Sequence, residues 1–232
     1  MSWQTRCWSD DSGQEPPGFT IRCHVARARR HIQSNVVYHI FNRRTDKQCL
    51  FANLVAYDRF LDIVAKGRKK YPVRHHAFCL MKTHWHLAIS SELPGAIPLY
   101  LRWLATTHAV GFRWQTNTRG NGHVYQDRYK AVPVDGLLHY STLVRYIEAN
   151  ALNAGLVSRA EDWPWSSLKE RLSGRNRLIE PGPWALPEPK TWTGIVNAPN
   201  LSLALEPFFL NQVATFGPPV QMFQRADTDG AG

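Results

Sequence analysis

Residues 73–90 read VRHHAFCLMKTHWHLAIS, a stretch that predicts two adjacent strands. Its two apolar-rich runs, Val73 to Leu80 and Thr83 to Ser90, each have the length of an ordinary strand. So few residues separate the two runs that a tight antiparallel hairpin is their natural connection. We therefore expect a β-hairpin in the middle of the chain.

The segments on either side of this hairpin carry further strand and helix patterns. Val36 to Phe41 is β-branched and aromatic, as strands are, and a first helical pattern follows it and ends before Gly67. After the hairpin come a second helical pattern, a fourth strand at about Val124 to Val134, and a last helix between Asp135 and Gly155. The apolar positions at helical spacing are Leu54, Tyr57, Leu61 and Val64 in the first helix, Ile97, Leu101, Leu104, His108 and Phe112 in the second, and Leu143, Ile147 and Ala151 in the third.

The order of these elements predicts an α+β fold, a ferredoxin-like βαββαβ sandwich with an additional C-terminal helix. In such a sandwich an antiparallel sheet has its helices on one face. We therefore expect the other face to be open for a functional site or for a strand of nucleic acid. The fold alone assigns no function.

The chain of 232 residues has a formal net charge of +10, and the positive excess is confined to its middle. Residues 26–172 hold 22 Lys and Arg against 10 Asp and Glu, a net charge of +12, whereas both ends are near neutral. Solubility alone is served by a net charge of about 2 to 8 in a small domain. The charge therefore favours a nucleic-acid partner over a merely solvated face or an acidic protein partner.

Composition divides the chain into an N-terminal extension (1–25), a central domain (26–172) and a Pro-rich C-terminal tail (173–232), which holds eight of the 15 prolines. The apolar segment from Leu201 to Phe216 is expected either to dock on the core or a partner, or to form a loose extension. The four cysteines are widely spaced, which fits a reducing cytoplasm better than a disulfide framework or a zinc knuckle. No apolar run approaches a membrane span, so we expect no membrane partner.

The strand from Thr83 to Ser90 carries the most informative pattern in the sequence. Its period of two places Trp85, Leu87 and Ile89 on one face and His84 and His86 on the other. The two imidazoles then start roughly 7 Å apart, close enough to converge on one metal ion. The alternative is two histidines that merely alternate with the core, so a metal site needs a third ligand.

The last helix can supply that ligand together with a nucleophile. Tyr146 and Asn150 are four residues apart and therefore lie one turn apart on the same helical face. The Asn150 amide oxygen, added to the imidazoles of His84 and His86, forms a nitrogen and oxygen set with open positions. Such a set suits Mn²⁺ or Mg²⁺ better than a closed structural zinc site. Without the histidine pair, a Tyr and an Asn on a helix are ordinary packing and surface residues.

Several separated segments resemble one known family, in the same order along the chain. MKTHWHL (81–87) is similar to the histidine, hydrophobic residue, histidine (HUH) strand of the single-tyrosine transposases, and RYIEAN (145–150) resembles their nucleophile helix. WPWSS (163–167) resembles the Trp-Ser-Ser signature of the REP-associated tyrosine transposases, and YHIFNR (38–43) and YQDRYK (125–130) are similar to the family's opening and fourth-strand segments. Family members commonly read Pro-Asn where this chain has Lys82-Thr83.

The resemblance implies a catalytic domain over roughly 26–172 in which the last helix carries the nucleophile. The implied reaction is ATP-independent, metal-dependent cleavage and rejoining of single-stranded DNA at palindromic (REP-like) hairpins, with Tyr146 forming a 5′-phosphotyrosine intermediate. His84, His86 and Asn150 would hold the divalent metal, Mn²⁺ or Mg²⁺. A nucleoid-associated cytoplasmic location would follow, and both a monomer and a homodimer remain open.

The basic and aromatic residues around these motifs are candidates for DNA contacts. We expect Arg128 and Lys130, on one strand face, and Arg145, beside the nucleophile, to contact phosphates. Tyr129 could stack an unpaired base, as could Tyr125 and Trp114, although core positions are equally in keeping with aromatic side chains.

Two alternatives stay open. The same scaffold could bind nucleic acid without cleaving it, in which case hairpin binding would ignore divalent metal and release no product strand. The histidine pair could also serve an unrelated metal-dependent enzyme for a small anionic substrate, which strong salt dependence of DNA affinity would argue against.

Overall fold

The computed structural model of the chain describes residues 32–45, 48–120, 122–174 and 177–199, which form a four-stranded antiparallel sheet and six helices. The sheet order is β2-β3-β1-β4. The strands are β1 (Val37–Arg43), β2 (Arg74–Met81), β3 (His84–Ser90) and β4 (Lys130–Val134); the helices are α1 (Leu54–Lys70), α2 (Ala96–Thr116), α3 (Gly136–Glu148), α4 (Asn150–Asn153), α5 (Ser167–Ser173) and α6 (Pro189–Asn197). The predicted α+β class, the βαββαβ order and the central hairpin are confirmed.

Helices α1 and α2 cover one face of the sheet, as the alternation in β3 predicts. Trp85, Leu87 and Ile89 are buried beneath the two helices, together with Phe60 of α1 and Leu104 of α2. Full burial of one such side chain stabilises the fold by about 1.5 to 3 kcal/mol, so this cluster is the main stabilising layer.

The sequence pattern predicted that α1 ends before Gly67, but the helix continues to Lys70. A glycine stands at position 67 because α2 crosses α1 there at close range. A Cβ atom on Gly67 would lie 2.6 Å from Tyr100 Cε2 and 2.7 Å from Trp103 Cζ3. Both rings belong to α2. The absence of a side chain at position 67 therefore permits the contact between the two helices.

We expect Gly67→Ala to lower the free energy of unfolding by about 1 to 3 kcal/mol, because the added methyl group overpacks the crossing of α1 and α2. Gly111→Ala is the matched control, since Gly111 is also helical and a Cβ there meets nothing within 4 Å. This second change should stabilise the protein by about 0.4 to 1 kcal/mol. Urea unfolding of the two variants measures both effects; equal stabilities would contradict the close approach.

The opposite face of the sheet is not fully open, because α3 and α5 pack against its β2 side and α6 packs on these two helices. Val144 and Ile147 of α3 are buried against Ala77 and Cys79 of β2, and Trp192 of α6 is fully buried in the same cluster. Helix α6 belongs to the predicted Pro-rich tail, so the packing continues past residue 172. Val37 of β1 and Val134 of β4 are buried in the same cluster, whereas Lys130 and Val132 of β4 are exposed.

The Glu148 carboxylate, at the end of α3, holds this second layer together. It is fully buried and accepts hydrogen bonds from Ser167 Oγ (2.6 Å), Arg171 Nη2 (3.0 Å) and Trp192 Nε1 (2.6 Å). These donors come from α5 and α6, so a single carboxylate connects three helices. A buried charge is stable only when it is paired and hydrogen-bonded to this degree.

Glu148→Gln should lower the free energy of unfolding by roughly 3 kcal/mol. The substitution leaves Arg171 without its buried counter-charge and replaces one of the two acceptor oxygens with an NH2 group, which cannot accept. Glu92→Gln provides the control, since Glu92 pairs with Arg74 at 2.7 Å where both side chains are more than half exposed. An exposed pair contributes at most about 1 kcal/mol. If chemical denaturation finds the two substitutions equally mild, Glu148 does not have this role.

The segment from Trp163 to Ser167 occupies the outer edge of β2. Leu80 N–H donates to the Trp165 carbonyl (3.0 Å), Phe78 N–H donates to Ser167 Oγ (3.1 Å), and Trp163 Nε1 donates to the Leu80 carbonyl (3.0 Å). The Trp-Ser-Ser motif thus satisfies the backbone of an edge strand and, through Ser167, links that strand to Glu148.

Strand β4 is shorter than predicted. Residues 126–129 form bends and a connection, and Tyr125 makes only an isolated bridge to Arg44. The ring of Tyr125 is buried, and its hydroxyl lies 2.7 Å from His108 Nδ1, so of the two roles left open for this residue the structure shows the core position. The N-terminal extension and the segment from Leu201 to Phe216 lie outside the described residues. Among the described helices, none is long and apolar enough to cross a membrane.

Candidate active site

The site begins at the two histidines of β3, on the sheet face opposite α1 and α2. His84 and His86 have ring centroids 5.0 Å apart. Strand pairing places Arg43 of β1 beside His84 and Phe41 beside His86. Because directly paired residues of neighbouring strands share a face, the side chains of β1 complete this surface.

Tyr146 of α3 lies against these histidines in the same chain. Its ring centroid is 5.6 Å from that of His86, in an edge-to-face arrangement. The side chain is 45 % exposed, although the flanking helix residues Arg145 and Ile147 are buried. The predicted nucleophile and the predicted histidine pair therefore meet on one surface that is open to solvent, without a second copy of the chain.

His39 of β1 is a third imidazole in the site, which the sequence reasoning did not single out. Its Nε2 lies 2.9 Å from His86 Nδ1, and its ring centroid is 5.9 Å from that of Tyr146. The alternation of side chains in β1 could have indicated His39 as a site residue, since it places His39 and Arg43 on one face. The pairing of β1 with β3, which brings that face to His86, could not be derived from local pattern.

Burial keeps these imidazoles neutral. It lowers the pKa of His39 from 6.5 to about 4, with a smaller contribution of the same sign from His139. It also lowers the pKa of His86 well below 6.5, where His39, His84 and Arg43 act in the same direction. The pKa of His84 is lowered by burial and then by Arg43. Neutral imidazoles are the form that binds metal ions.

A buried histidine on the other face of the sheet predicts that the stability of the fold is sensitive to acid. His108, on the buried side of α2, has a pKa lowered by burial from 6.5 to about 4. The unfolded chain therefore binds a proton between pH 6.5 and pH 4 that the folded chain does not, and stability falls as the pH decreases through this window. For His108 alone the loss between pH 7 and pH 5 is about 2 kcal/mol. Urea unfolding should show a smaller loss over this range in His108→Gln; an unchanged loss would contradict the assignment.

The donors of the predicted metal set fit a divalent ion. His86 Nε2 is buried and has no hydrogen-bond partner within the described ranges, and such an orphaned nitrogen is suited to a ligand. His84 Nδ1 lies 2.9 Å from Thr83 Oγ1, so its other nitrogen is the one available. In the described part of the chain no group of three or more His, Cys, Asp or Glu is arranged for a metal. The third ligand predicted from the sequence is an amide, that of Asn150.

Asn150 is the first residue of α4, directly after the short interruption of the helix at Ala149. Ala149 N–H still donates to the Arg145 carbonyl (2.8 Å), and Ala154 N–H donates to the Asn150 carbonyl (3.0 Å). The chain thus keeps its helical path, with Asn150 one turn after Tyr146. The half-buried Asn150 side chain forms no hydrogen bond with the rest of the described structure.

Two exposed cations, Arg43 and Lys130, lie on the sheet face of the site, and a third, Arg128, lies in the chain just before β4. Arg43 is paired with His84 across the sheet, and its charge acts on both histidines of β3. Lys130 shares this face, with its Nζ 5.8 Å from the centre of the Phe41 ring. Arg128 lies in the bend before β4, so the prediction that it shares a strand face with Lys130 is wrong. Arg43 was not predicted as a site residue.

Arg145 is turned away from the site. Its guanidinium is buried, Nε donates to the Ile195 carbonyl (2.9 Å), and Nη2 donates to the Ala198 carbonyl. In this conformation Arg145 Nε and Nη2 are not free for the predicted phosphate contact, because they already bind carbonyls at the end of α6. Tyr129 is half-buried against the core beneath α1 and α2, whereas Trp114 is exposed beneath the guanidinium of Arg119.

One solved structure resembles this fold over most of both chains. It is described as the structure of a REP-associated tyrosine transposase bound to a REP hairpin, with a TM-score of 0.53 and 18 % identity, and the match covers 70 % of this chain and 92 % of that one. A crystal structure of a candidate transposase from Deinococcus radiodurans R1 matches more weakly, with a TM-score of 0.38, 16 % identity, and coverage of 53 % and 95 %. At these identities the first match shows the fold alone.

The sequence comparisons give the family. No curated protein matches the chain in sequence. The family model described as IS200-like transposase matches residues 32–150, which contain β1 to β4, Tyr146 and the three histidines. This match spans more than half of the chain, and the fold with its clustered histidines and tyrosine agrees with it. The chain belongs to the IS200-like transposase family.

Proposed function

We propose that this chain is a metal-dependent single-stranded DNA endonuclease and strand transferase that acts at palindromic, REP-like hairpins through a 5′-phosphotyrosine intermediate. One observation carries the proposal. The half-exposed Tyr146 ring lies 5.6 Å from His86 and 5.9 Å from His39, on a face that bears exposed cations. A nucleophile next to neutral imidazoles that can hold a divalent ion is an arrangement suited to phosphoryl transfer.

Tyr146 Oη is the attacking atom. A bond forms between Oη and phosphorus as the bond from phosphorus to the 3′ oxygen breaks. The phenol loses one proton and the departing 3′ oxygen gains one, so charge and protons balance. The products are a tyrosine esterified to a 5′ phosphate and a free 3′ hydroxyl. Because the phosphoester energy is retained, the reverse reaction with another 3′ hydroxyl rejoins a strand without ATP.

His84, His86 and Asn150 are the proposed holders of a divalent ion, Mn²⁺ or Mg²⁺. When bound, such an ion neutralises charge on the phosphate and orients it. The neutral state of both histidines supports this role, as does the unpartnered His86 Nε2.

The exposed cations beside the site are the proposed phosphate contacts. Arg43 and Lys130 lie on the sheet face against which the Tyr146 ring of α3 packs, and Arg128 lies just before β4. Such contacts position a strand without reading its sequence. The hairpin as substrate class is inferred from the REP hairpin bound to the structural relative.

The test is an adduct assay with a single-stranded hairpin oligonucleotide labelled at one end or the other. With Mn²⁺ or Mg²⁺, the wild-type protein should form an SDS-resistant adduct that carries the 3′ label, because the 5′ phosphate stays on the tyrosine. The 5′-labelled fragment should be released with a 3′ hydroxyl. Tyr146→Phe should abolish the adduct, and His84→Ala should reduce it to background.

Tyr71→Phe is the matched control, since Tyr71 follows α1 and lies against Trp103 on the opposite face. It should form the adduct at the wild-type level. An adduct that persists in Tyr146→Phe refutes the nucleophile. Tight hairpin binding by the wild type that needs no metal and yields no released strand refutes the proposed cleavage and favours a non-cleaving nucleic-acid-binding protein.

A further inference from the structure

The two histidines of β3 are each engaged through the same ring nitrogen. His86 Nδ1 lies 2.9 Å from His39 Nε2, and His84 Nδ1 lies 2.9 Å from Thr83 Oγ1. Both Nδ1 atoms therefore face a group that can accept a hydrogen bond, and His86 Nε2 is left buried without a partner. The partners come from different places, since His39 belongs to β1 and Thr83 lies in the turn before β3.

A neutral imidazole carries one proton, and the nitrogen that holds it cannot bind a metal ion. If Nδ1 donates its proton to a neighbour, Nε2 keeps its lone pair. If Nε2 holds the proton instead, the buried His86 hides an N–H donor without an acceptor, and orphaned buried N–H groups are rarer in proteins than acceptors without a donor. The surroundings of His86 thus favour the form with the proton on Nδ1.

We propose that His39 and Thr83 are positioning residues that fix His86 and His84 with the proton on Nδ1, so that both Nε2 atoms are free for one divalent ion. This inference rests on the proposed metal site and deepens it. His39 Nε2 is the acceptor in its pair, so His39 carries its own proton on Nδ1.

This assignment explains why a threonine, with its hydroxyl group, stands next to the proposed ligand His84. Its hydroxyl accepts from His84 Nδ1 and also sets the orientation of the ring. Groups that hold a ligand's second nitrogen in this way typically change metal affinity by 10- to 100-fold when they are removed. His39 also touches the edge of the Tyr146 ring, so the group that orients one ligand lies in van der Waals range of the proposed nucleophile.

The first measurement needs no metal. Nitrogen-15 NMR of the metal-free protein at neutral pH distinguishes protonated from unprotonated ring nitrogens, and His86→Gln and His84→Gln identify the two signals. We expect both residues to carry their proton on Nδ1. In His39→Phe, His86 should lose this single form, and in Thr83→Val the same should occur at His84. A wild-type His86 with its proton on Nε2 overturns the proposal.

The second measurement is Mn²⁺ affinity by titration calorimetry. His39→Phe and Thr83→Val should each weaken binding 10- to 100-fold. His39→Gln should stay within about threefold of wild type, because its amide oxygen can accept from His86 Nδ1. His108→Gln is the matched control, as it removes a buried histidine on the other face of the sheet. Wild-type affinity in His39→Phe, or equal losses in His39→Phe and His108→Gln, overturns the positioning role.

The two measurements separate this inference from the proposed function. If both histidines carry the proton on Nδ1 but the wild type binds no Mn²⁺, the proposed metal site fails while the assignment of His39 and Thr83 as hydrogen-bond acceptors stands. If Mn²⁺ binds tightly and His86 carries its proton on Nε2 in the metal-free protein, the metal site stands and the positioning roles fail.

Discussion

The buried carboxylate of Glu148 is the interaction on which the site geometry depends most. It lies two residues after Tyr146 and ties the end of α3 to donors from α5 and α6. Ser167, one of these donors, also accepts from the backbone of β2, the strand next to β3. The position of Tyr146 relative to the histidines is therefore set by a continuous chain of hydrogen bonds through the second layer, and not by α3 alone.

The sheet accounts for the other half of the site. In β3, alternation sends Trp85, Leu87 and Ile89 into the core beneath α1 and α2, and so forces His84 and His86 onto the opposite face. The cover on that face is uneven, with α3 mainly over β2 and β3. Val37 and Val134 join its cluster, whereas Lys130 and Val132 of β4 are exposed. At the edge of this cover, buried imidazoles with a low dielectric around them lie next to exposed, positively charged side chains.

Local pattern predicted the strands and the three long helices, because alternation and helical spacing are properties of neighbouring residues. The approach of Tyr146 to His86 was expected from the resemblance to the single-tyrosine transposases. Local pattern failed where partners are distant in sequence. The burial of Arg145 depends on carbonyls fifty residues later, and the place of His39 in the site depends on the pairing of β1 with β3. It also overextended β4, since an aromatic, apolar segment such as that around Tyr125 suits a core connection as well as a strand.

The edge of β2 has a consequence for how copies of this protein meet. An outer strand with free amide and carbonyl groups is a template for joining two sheets into one. Here the backbone of Phe78 and Leu80 is bonded to residues 163–167, the His75 carbonyl accepts from Glu180 N–H, and the His76 carbonyl accepts from Arg171. Continuation of the sheet from one molecule to the next is thus blocked on this side, and self-association there would require side-chain surfaces instead of shared strands.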